Sequence, residues 1–346
     1  MSDKMNAIVF KDLGEFEYTQ RPVPQVSHGD DVQIRILAAS ICGTDVHILR
    51  NPPGIKANRG IILGHECVGE VTEIGSDVIN LKVGDHIILD NNVPCGVCTP
   101  CQTGNSNLCT HMGSMGVHKD GVFAQYAVAP ERQMVRIPKE IPLEQAIFAE
   151  PLNCVMGAVK KLKVMPGDTA LVLGGGPIGL YFTTLLKEAC GAGKVLVSEV
   201  SDFRTEYAKA QGADRVINPA KEDLKTEVLS ETEGTGADIV IDAVGILIND
   251  ALSAVKSGGS ILLFGQNGAA RQEICQNDIT ARGLTVYGNF IGNYTLKNVA
   301  NLLSSRKVDF VNMITHKLPL EDFETGLKAM QKGEALEVVL DPFANA

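Results

Sequence analysis

Apolar and polar residues follow one pattern in the first part of the chain and another in the second. Between residues 1 and 150, short runs of partly alternating apolar and polar residues are separated by frequent proline and glycine. The strand candidates are 32–37, 68–74 and 86–89. Short strands with many turn residues are typical of an all-β or α+β part.

From residue 169 onward, short apolar runs alternate with helical segments. The apolar runs are 170–173, 195–197, 239–241 and 261–264, and the helical segments include 178–190 and 202–211. Strands that alternate with helices predict βαβ units and a parallel sheet. The last residues return to mixed structure, with a helix predicted over 321–331.

Composition and charge narrow the class of protein. A chain of 346 residues suits two domains, and 45% hydrophobic with 21% charged residues is a globular balance. The formal net charge is −10 and no basic run offsets it, so we expect no nucleic-acid partner. The N-terminus carries charges throughout, and glycines interrupt the longest mainly apolar stretch without a charge, 169–186, so we expect neither a signal peptide nor a membrane partner.

Four of the nine cysteines lie in one short loop with the spacing C-x2-C-x2-C-x7-C. They are Cys95, Cys98, Cys101 and Cys109. Four thiolates can enclose a tetrahedral ion and leave no open position, which favours a structural zinc. An iron–sulfur cluster and two disulfides are the alternatives. Metal binding by cysteine is typical of a reducing compartment, so we predict a cytoplasmic location.

A dinucleotide motif follows the apolar run at 170–173 and opens a helical segment. Its G-x-G-x-x-G residues, predicted to contact a cofactor, are Gly174, Gly176, Pro177, Ile178 and Gly179. Glu199 lies 20 residues after the last glycine, where an acid binds the adenosine ribose. Its charge would repel a 2′-phosphate, so NAD is favoured over NADP. Arg204 could bind phosphate or cover adenine, which keeps NADP as the weaker alternative.

A second group of metal-binding residue types is spread over a longer stretch. Cys42 precedes His47, and His65 and Glu66 follow some twenty residues later. Thiolate, imidazole and carboxylate are ligands of catalytic zinc. By spacing alone the signal is weak, because a single histidine or cysteine in an apolar strand is more often a core residue.

The run GHECVG at 64–69, with Gly75 and Val78, resembles the zinc signature of the medium-chain alcohol dehydrogenase family. Cys42 with Thr44 and His47, the cysteine loop and the dinucleotide motif occur in the same order as in the family, so the resemblance covers almost the whole chain. It implies an α/β fold: a Rossmann doubly wound parallel sheet plus a mainly β, GroES-like catalytic domain. The implied domains are 1–153 with 290–346 (catalytic, zinc-binding) and 154–289 (NAD-binding).

The resemblance also implies roles for individual residues. Cys42 and His65 are expected to bind zinc, with Asp45 accepting the far N–H of His65. Thr44 and His47 match the family's proton relay, in which the substrate proton passes from Thr44 through the cofactor ribose to His47 and solvent.

The third ligand position departs from the simple alcohol dehydrogenases. They have a cysteine where this chain has Glu150, in the segment AEPLN, which is similar to the polyol (sorbitol) and threonine dehydrogenase branch. In that branch the equivalents of Glu66 and Glu150 share the remaining zinc positions, directly or through water. Sequence alone does not choose between the two glutamates.

Further cofactor contacts and the assembly are implied in the same way. The family places strand ends against the ribose and nicotinamide, here Val244, Phe264 and Gly265, and Asn289 resembles another nicotinamide contact. Family members form dimers or tetramers, often across an edge strand, for which 284–290 is the candidate.

The implied reaction is oxidation of a secondary alcohol to a ketone, with hydride passing to NAD. The expected substrate is a polyol, a sugar alcohol or its phosphate, with L-threonine as the alternative. Asn289–Phe290 stand where polyol enzymes often carry arginine and tyrosine, which weighs against a hexitol. A catalytically silent sensor that binds NAD and zinc is the alternative outside enzymes.

Overall fold

The computed structural model describes residues 3–345 and divides the chain into two compact units. The first unit comprises Met1–Asn153 and Asn293–Ala346, and the second comprises Cys154–Gly292. The second unit is therefore an insertion within the first.

The first part of the chain is mainly strand. Its strands are β1 (Lys4–Asp12), β2 (Glu15–Pro22), β3 (Asp31–Ser40), β4 (Glu66–Ile74), β5 (His86–Leu89), β6 (Asn92–Val93), β7 (Gly113–Ser114), β8 (Tyr126–Pro130) and β9 (Met134–Ile137). Its helices are α1 (Gly43–Leu49), α2 (Thr99–Gln102), α3 (Leu143–Ala146) and α4 (Ala149–Val159), with 3₁₀ turns at Ser106–Leu108 and Glu131–Gln133.

The second unit alternates strands with helices. Its strands are β10 (Thr169–Leu173), β11 (Lys194–Ser198), β12 (Arg215–Ile217), β13 (Ala237–Asp242), β14 (Val255–Leu263) and β15 (Thr285–Gly288). Its helices are α5 (Pro177–Thr184), a following π turn (Leu185–Ala189), α6 (Asp202–Ala210), α7 (Leu224–Glu231), α8 (Ile248–Ala254) and α9 (Gln276–Ala281).

The chain then returns to the first unit. This segment contains α10 (Leu296–Ser305), β16 (Ile314–Pro319), α11 (Phe323–Lys332) and β17 (Glu337–Asp341), with 3₁₀ turns at Val311–Met313 and Leu320–Asp322. The predicted helix over 321–331 is thus observed as a 3₁₀ turn and α11. Gly333, with φ of +71°, ends α11 in the left-handed region that glycine adopts without strain.

The first unit is organised around one mixed sheet with the order β16-β17-β3-β4-β5-β9, to which β8 adds by pairing with β3. β3 is buried over most of its length because it contacts β17, β4 and β8. Ile34, Ile36, Val71 and Ile87 belong to its apolar core. The end of β3 lies beside the start of β4, because Ser40 pairs with Glu66.

The second unit is a parallel sheet with the order β12-β11-β10-β13-β14-β15. This is the doubly wound arrangement, in which strand order reverses between the first and fourth strands of the unit, β10 and β13. Ligands bind such sheets at the carboxyl ends of the strands that flank the reversal. The predicted α/β fold class is confirmed. Within residues 3–345, no helix is both long and apolar enough to cross a membrane.

Candidate active site

Cys42 stands directly before α1, at the end of the loop that leaves β3. Its backbone N–H donates to Asp45 Oδ2 at 2.9 Å, which closes the first turn of the helix. Asp45 is fully buried, and Thr44 and His47 are half-buried on the same helix. The turn therefore presents one thiol and holds one carboxylate beneath it.

His65 and Glu66 lie at the start of β4 and are almost completely buried. One ring nitrogen of His65, Nδ1, lies 3.7 Å from Asp45 Oδ1, and the other, Nε2, lies 3.9 Å from Glu66 Oε1. The Ser40 hydroxyl donates to Glu66 Oε2 at 2.5 Å. The imidazole is thus placed between two carboxylates.

Three of the predicted residues come together as a possible metal site. One ligand atom from each of Cys42, His65 and Glu66 lies within 4.8 Å of the other two. Asp45 Oδ1 and His65 Nδ1 are buried and have no hydrogen-bond partner among residues 3–345. A metal bound to Nε2 would leave the ring proton on Nδ1, where it faces Asp45. A carboxylate that accepts this N–H is the usual partner of a zinc-binding histidine. These residues therefore fit a zinc ion.

The electrostatics of the cluster are those of buried acidic groups close to one another. Burial raises the pKa of Cys42 well above its usual value, and the charges of Glu66, Asp45 and Glu150 raise it further. Burial and the Glu337 carboxylate likewise raise the pKa of Glu66. A bound cation would offset this repulsion and release the thiol proton.

His65 responds in the opposite direction to its burial. Burial by itself would lower its pKa, but Asp45, Glu66 and Glu150 raise the pKa of His65 above the usual value. Sequence reasoning did not find Ser40 or Glu337. Only the pairing of β3 with β4 and the burial of β17 reveal these two residues.

Glu150 lies in the first turn of α4 and is 7% exposed. The negative charge of Glu150 contributes to raising the pKa values of Cys42, His65 and Glu66. Within residues 3–345, however, the set of ligand atoms lying within 4.8 Å of one another contains Glu66 and does not contain Glu150.

Thr44 and His47 are three residues apart on α1 and therefore share one face. Burial, and then the positive charge of Arg50, lower the pKa of His47. His47 is therefore neutral at pH 7 and can accept a proton.

The four cysteines of the loop at 95–109 come together in a second cluster. Their sulfurs all lie within 4.8 Å of one another. Cys98 Sγ is 3.4 Å from Cys101 Sγ and 3.8 Å from Cys109 Sγ, too far for a disulfide bond of about 2.05 Å. Four sulfurs at ~2.3 Å from one ion would lie about 3.8 Å apart. The cluster thus fits a single tetrahedral ion.

Backbone N–H groups also point at these sulfurs. The N–H groups of Cys95 and His111 donate to Cys109 Sγ at 3.2 and 3.3 Å. Backbone hydrogen bonds from Cys101 and Thr110 lower the pKa of Cys98 to about 5. Such donors stabilise thiolates, the form in which cysteine binds metal.

The dinucleotide motif lies at the end of β10, beside the reversal of strand order. Gly174 has φ of +98°, and a Cβ on Gly179 would stand 1.8 Å from Gly174 O. Both positions therefore require glycine. A Cβ on Gly176 would meet only the Arg204 guanidinium, at 3.9 Å. Gly176 is the N-cap of α5, whose first residues are Pro177 and Ile178, and no side chain within residues 3–345 caps this helix N-terminus, which suits a phosphate.

Glu199 is 6% exposed and is held by three backbone donors. Its Oε2 accepts from Gly175 N at 2.8 Å, and its Oε1 accepts from Val200 N and Ser201 N at 2.8 Å each. These bonds keep a fixed negative charge beside the glycine turn, with the Arg204 guanidinium nearby.

The ends of β13 and β14 lie on the same side of the sheet as the glycine turn after β10. Val244 and Gly245 donate through their N–H groups to Asp242 Oδ1 at 2.9 and 2.7 Å. A Cβ on Gly265 would lie 2.2 Å from Gly245 N, so the two strand ends touch. Asp242 was not identified from the sequence as a residue of this site, although an acidic residue at the end of an apolar run was a signal for it.

Phe264 and Asn289 are also in this unit. The Phe264 ring packs edge-on against Phe182, with ring centroids 5.1 Å apart. Asn289 Nδ2 donates to Ile291 O at 3.1 Å and to Cys154 O at 3.4 Å. Both residues are half-buried, which leaves part of each side chain accessible.

Family models match both parts of the chain. Residues 28–139 match the alcohol dehydrogenase GroES-like domain, and residues 177–305 match the zinc-binding dehydrogenase model.

Two curated relatives are similar over nearly their full length. L-threonine 3-dehydrogenase from Caldanaerobacter subterraneus subsp. tengcongensis is 37% identical over 336 residues, which cover 94% of this chain and 95% of that protein. D-xylulose reductase A from Aspergillus oryzae is 32% identical over 350 residues, which cover 96% of each.

Solved structures agree with these relatives. A protein described as a zinc-binding dehydrogenase from Sinorhizobium meliloti 1021, bound to NADP, has a TM-score of 0.92 at 29% identity, covering 99% of this chain and 100% of its own. A protein described as a short chain alcohol dehydrogenase from E. coli CFT073, complexed with NADH, has a TM-score of 0.91 at 29% identity, covering 98% of this chain and 100% of its own. The predicted family and enzyme class are confirmed: the chain belongs to the zinc-dependent medium-chain alcohol dehydrogenase family.

Proposed function

We propose that this protein oxidises a secondary alcohol to a ketone, with zinc bound by Cys42, His65 and Glu66 and with NAD as hydride acceptor. The observation that carries the proposal is that one ligand atom from each of these residues, of which His65 and Glu66 are buried, lies within 4.8 Å of the other two. When bound, zinc supplies a Lewis acid that acidifies a hydroxyl group, and the nicotinamide accepts the hydride.

The protein's own residues supply orientation and proton transfer. Asp45 Oδ1 faces His65 Nδ1 at 3.7 Å, where it would accept the ring N–H of a zinc-bound His65, and Ser40 holds Glu66 by one oxygen. Thr44 accepts the substrate proton and His47, neutral at pH 7, delivers it towards solvent. Glu150, buried beside the same cluster, is the second carboxylate available to the zinc. The proposed zinc ligand in the resting protein is Glu66, because it alone of the two belongs to the close set.

The cysteine loop is proposed to hold a second, structural zinc. Its four sulfurs fill a tetrahedral site and leave no position for substrate. The nine cysteines, all within residues 3–345, form no disulfide bond with one another, which supports a reducing compartment such as the cytoplasm.

NAD is the proposed cofactor in preference to NADP. The Glu199 carboxylate is fixed by three backbone donors where the adenosine ribose is expected, and it would repel a 2′-phosphate. Arg204 beside Gly176 offers the opposing attraction, and a solved relative binds NADP. Measuring kcat/KM with each cofactor tests the preference, and a higher value with NADP would refute it. The cofactor contacts proposed near the nicotinamide are Val244, Phe264, Gly265 and Asn289.

The proposed substrate is a polyol or a related hydroxyl compound, and L-threonine is the second candidate. The relatives support both, since one is a D-xylulose reductase and another an L-threonine 3-dehydrogenase. NADH formation should be measured with the zinc-loaded protein against polyols, polyol phosphates and L-threonine. Turnover of one class assigns the substrate. No turnover of any secondary alcohol with zinc and NAD bound would instead support a silent sensor.

We further propose that the first unit is the catalytic domain and the second the NAD-binding domain. A homodimer or homotetramer is proposed to form across β15, the edge strand of the parallel sheet. Light scattering on a chromatography column tests the assembly, and a monomer at working concentration would refute it.

A further inference from the structure

A buried polar network joins three segments of the first unit that are distant in sequence. Asn153 Nδ2 donates to Asp90 Oδ2 at 3.1 Å. The Thr295 hydroxyl donates to Asn153 Oδ1 at 2.7 Å and to Asn153 O at 3.0 Å. Asn153 and Thr295 are 0% and 2% exposed. We call this group the Asp90–Asn153–Thr295 network.

The central residue of the network lies on the helix that carries Glu150. Asn153 is three residues after Glu150 in α4, so the two side chains leave the helix on neighbouring positions of one face. Fixing Asn153 therefore fixes the rotation and height of the first helical turn, and Glu150 with it.

One end of the network, Asp90, lies beside the strand that carries Glu66. Asp90 directly follows β5, which pairs with β4 through Val68 and Ile88. Continuing that antiparallel register by two residues places Asp90 level with Glu66. The Asp90 carboxylate is held in turn by Asn92, whose N–H and Nδ2 both donate to Asp90 Oδ1 at 3.0 Å.

Such a network is a specific constraint rather than a general source of cohesion. Apolar packing around α4 is non-directional and would tolerate small rotations of the helix. A buried amide must satisfy its donors and acceptors, so the hydrogen bonds of Asn153 allow only one placement.

We infer that Asn153 is a positioning residue that fixes the separation of Glu66 and Glu150, the two carboxylates available to the zinc. This inference rests on the proposed function and adds to it a device that sets the geometry of the site. None of the three network residues needs to touch the metal or the substrate.

The test compares metal binding by full-length variants with that of the wild type. Asn153→Ala removes the amide, and Thr295→Val removes one hydroxyl donor without changing the volume of the side chain. Thr295 makes no side-chain capping bond to α10, so that helix is not directly affected. Zinc affinity is measured by competition with a chelator. Cobalt(II) replaces zinc so that the visible spectrum reports the ligand geometry.

We expect each variant to bind metal at Cys42 and His65 roughly 10-fold more weakly and to shift the cobalt spectrum, as for other residues that orient metal ligands. Binding at the four-cysteine loop should not change. The matched control is Thr72→Val, which removes a hydroxyl bond to Gln33 Oε1 (2.7 Å) elsewhere on the β3–β4 pair and should leave both sites unaltered.

A swap of the two side chains gives a second test. Asn153→Asp alone sets two carboxylates against each other. Combined with Asp90→Asn, it places a donor at position 90 opposite an acceptor at position 153, which still accepts from Thr295. The double variant should recover most of the metal affinity and the wild-type cobalt spectrum. A purely structural role for Asn153 predicts a lower Tm without a spectral change.

The outcomes separate the two proposals. If the wild type binds no metal at Cys42 and His65, the proposed function fails and this inference fails with it. Two results would overturn only the inference, provided that the wild type binds metal at Cys42 and His65. In the first, Thr295→Val matches the wild type. In the second, the double swap variant is no better than Asn153→Asp alone. These two variants carry the test even if Asn153→Ala does not fold.

Discussion

The two clusters of metal-binding side chains lie in the same unit but are built in different ways. The cysteine cluster comes from 15 consecutive residues, 95–109, in a loop whose side chains are partly accessible. The cluster of Cys42, His65 and Glu66 comes from the ends of two strands and a helix, and Asp45 and Glu66 beneath it are almost fully buried.

This difference in construction indicates what holds each site in place. Few apolar side chains hold the loop, so a metal there supplies the energy that orders it. The buried cluster is assembled by the sheet itself, through pairs such as Ser40 with Glu66. Removing a ligand should therefore cost stability at the loop and activity at the buried cluster.

The largest effect is expected from Cys42→Ala. Loss of a ligand should lower kcat/KM by more than about 100-fold, beyond what residues behind the ligands contribute. Because the sheet holds the site, Tm should stay within about 2 °C of the wild type. Steady-state kinetics and calorimetry measure the two effects. Cys275→Ala, at an exposed cysteine, is the control, and a large fall in Tm for Cys42→Ala would contradict the distinction.

Cys98→Ala should produce the converse result. Its sulfur contacts two of the other three, so its loss opens the tetrahedral site. Losing a few kcal/mol should lower Tm by roughly 5–10 °C, while kcat of the folded fraction changes by less than about 2-fold. Thermal unfolding followed by activity at low temperature checks this. Lost activity without lost stability would show that the loop serves catalysis.

Asp45→Asn sharpens the comparison, because the cysteine loop has no equivalent carboxylate behind a histidine. Removing the charge that faces His65 Nδ1 should weaken zinc binding at the buried cluster by about 10–100-fold. Zinc bound by the loop should be retained. Metal content after graded chelation measures both sites, and equal loss from the two would refute the assigned role of Asp45.

The smallest effect is expected for the pH dependence of His47. Burial lowers its pKa, so His47 loses its proton below the usual value of about 6.5 and stays competent to accept one as the pH falls towards that lowered pKa. The acid limb of kcat/KM should therefore lie below pH ~6.5. His47→Gln should remove this limb and lower kcat by at least roughly 10-fold. Retention of the limb in the variant would assign it to another group.

Elements that depend on interactions between residues close in sequence could be predicted, whereas those that depend on distant residues could not. The apolar run at 170–173 and the glycines after it predict β10 and the start of α5 because strand burial and the glycine turn are local. The helix predicted over 178–190 instead becomes α5 and a π turn, where Thr183 and Thr184 donate back to the carbonyls of Gly179 and Leu180. Hydroxyl bonds of this kind compete with regular helix geometry, and residue types alone do not show them.

By itself, the sequence determined the ligand types, the glycine turn and the alternation of strands with helices, since each depends on neighbours within a few turns of the chain. Only the tertiary structure decided which side chains share a site. Strand pairing set Ser40 against Glu66, and the burial of β17 brought the Glu337 charge to bear on Glu66. Packing of α4 joined Asn153 to Asp90 across 63 residues. Such contacts depend on sheet register and helix packing, which are long-range choices that no local pattern encodes.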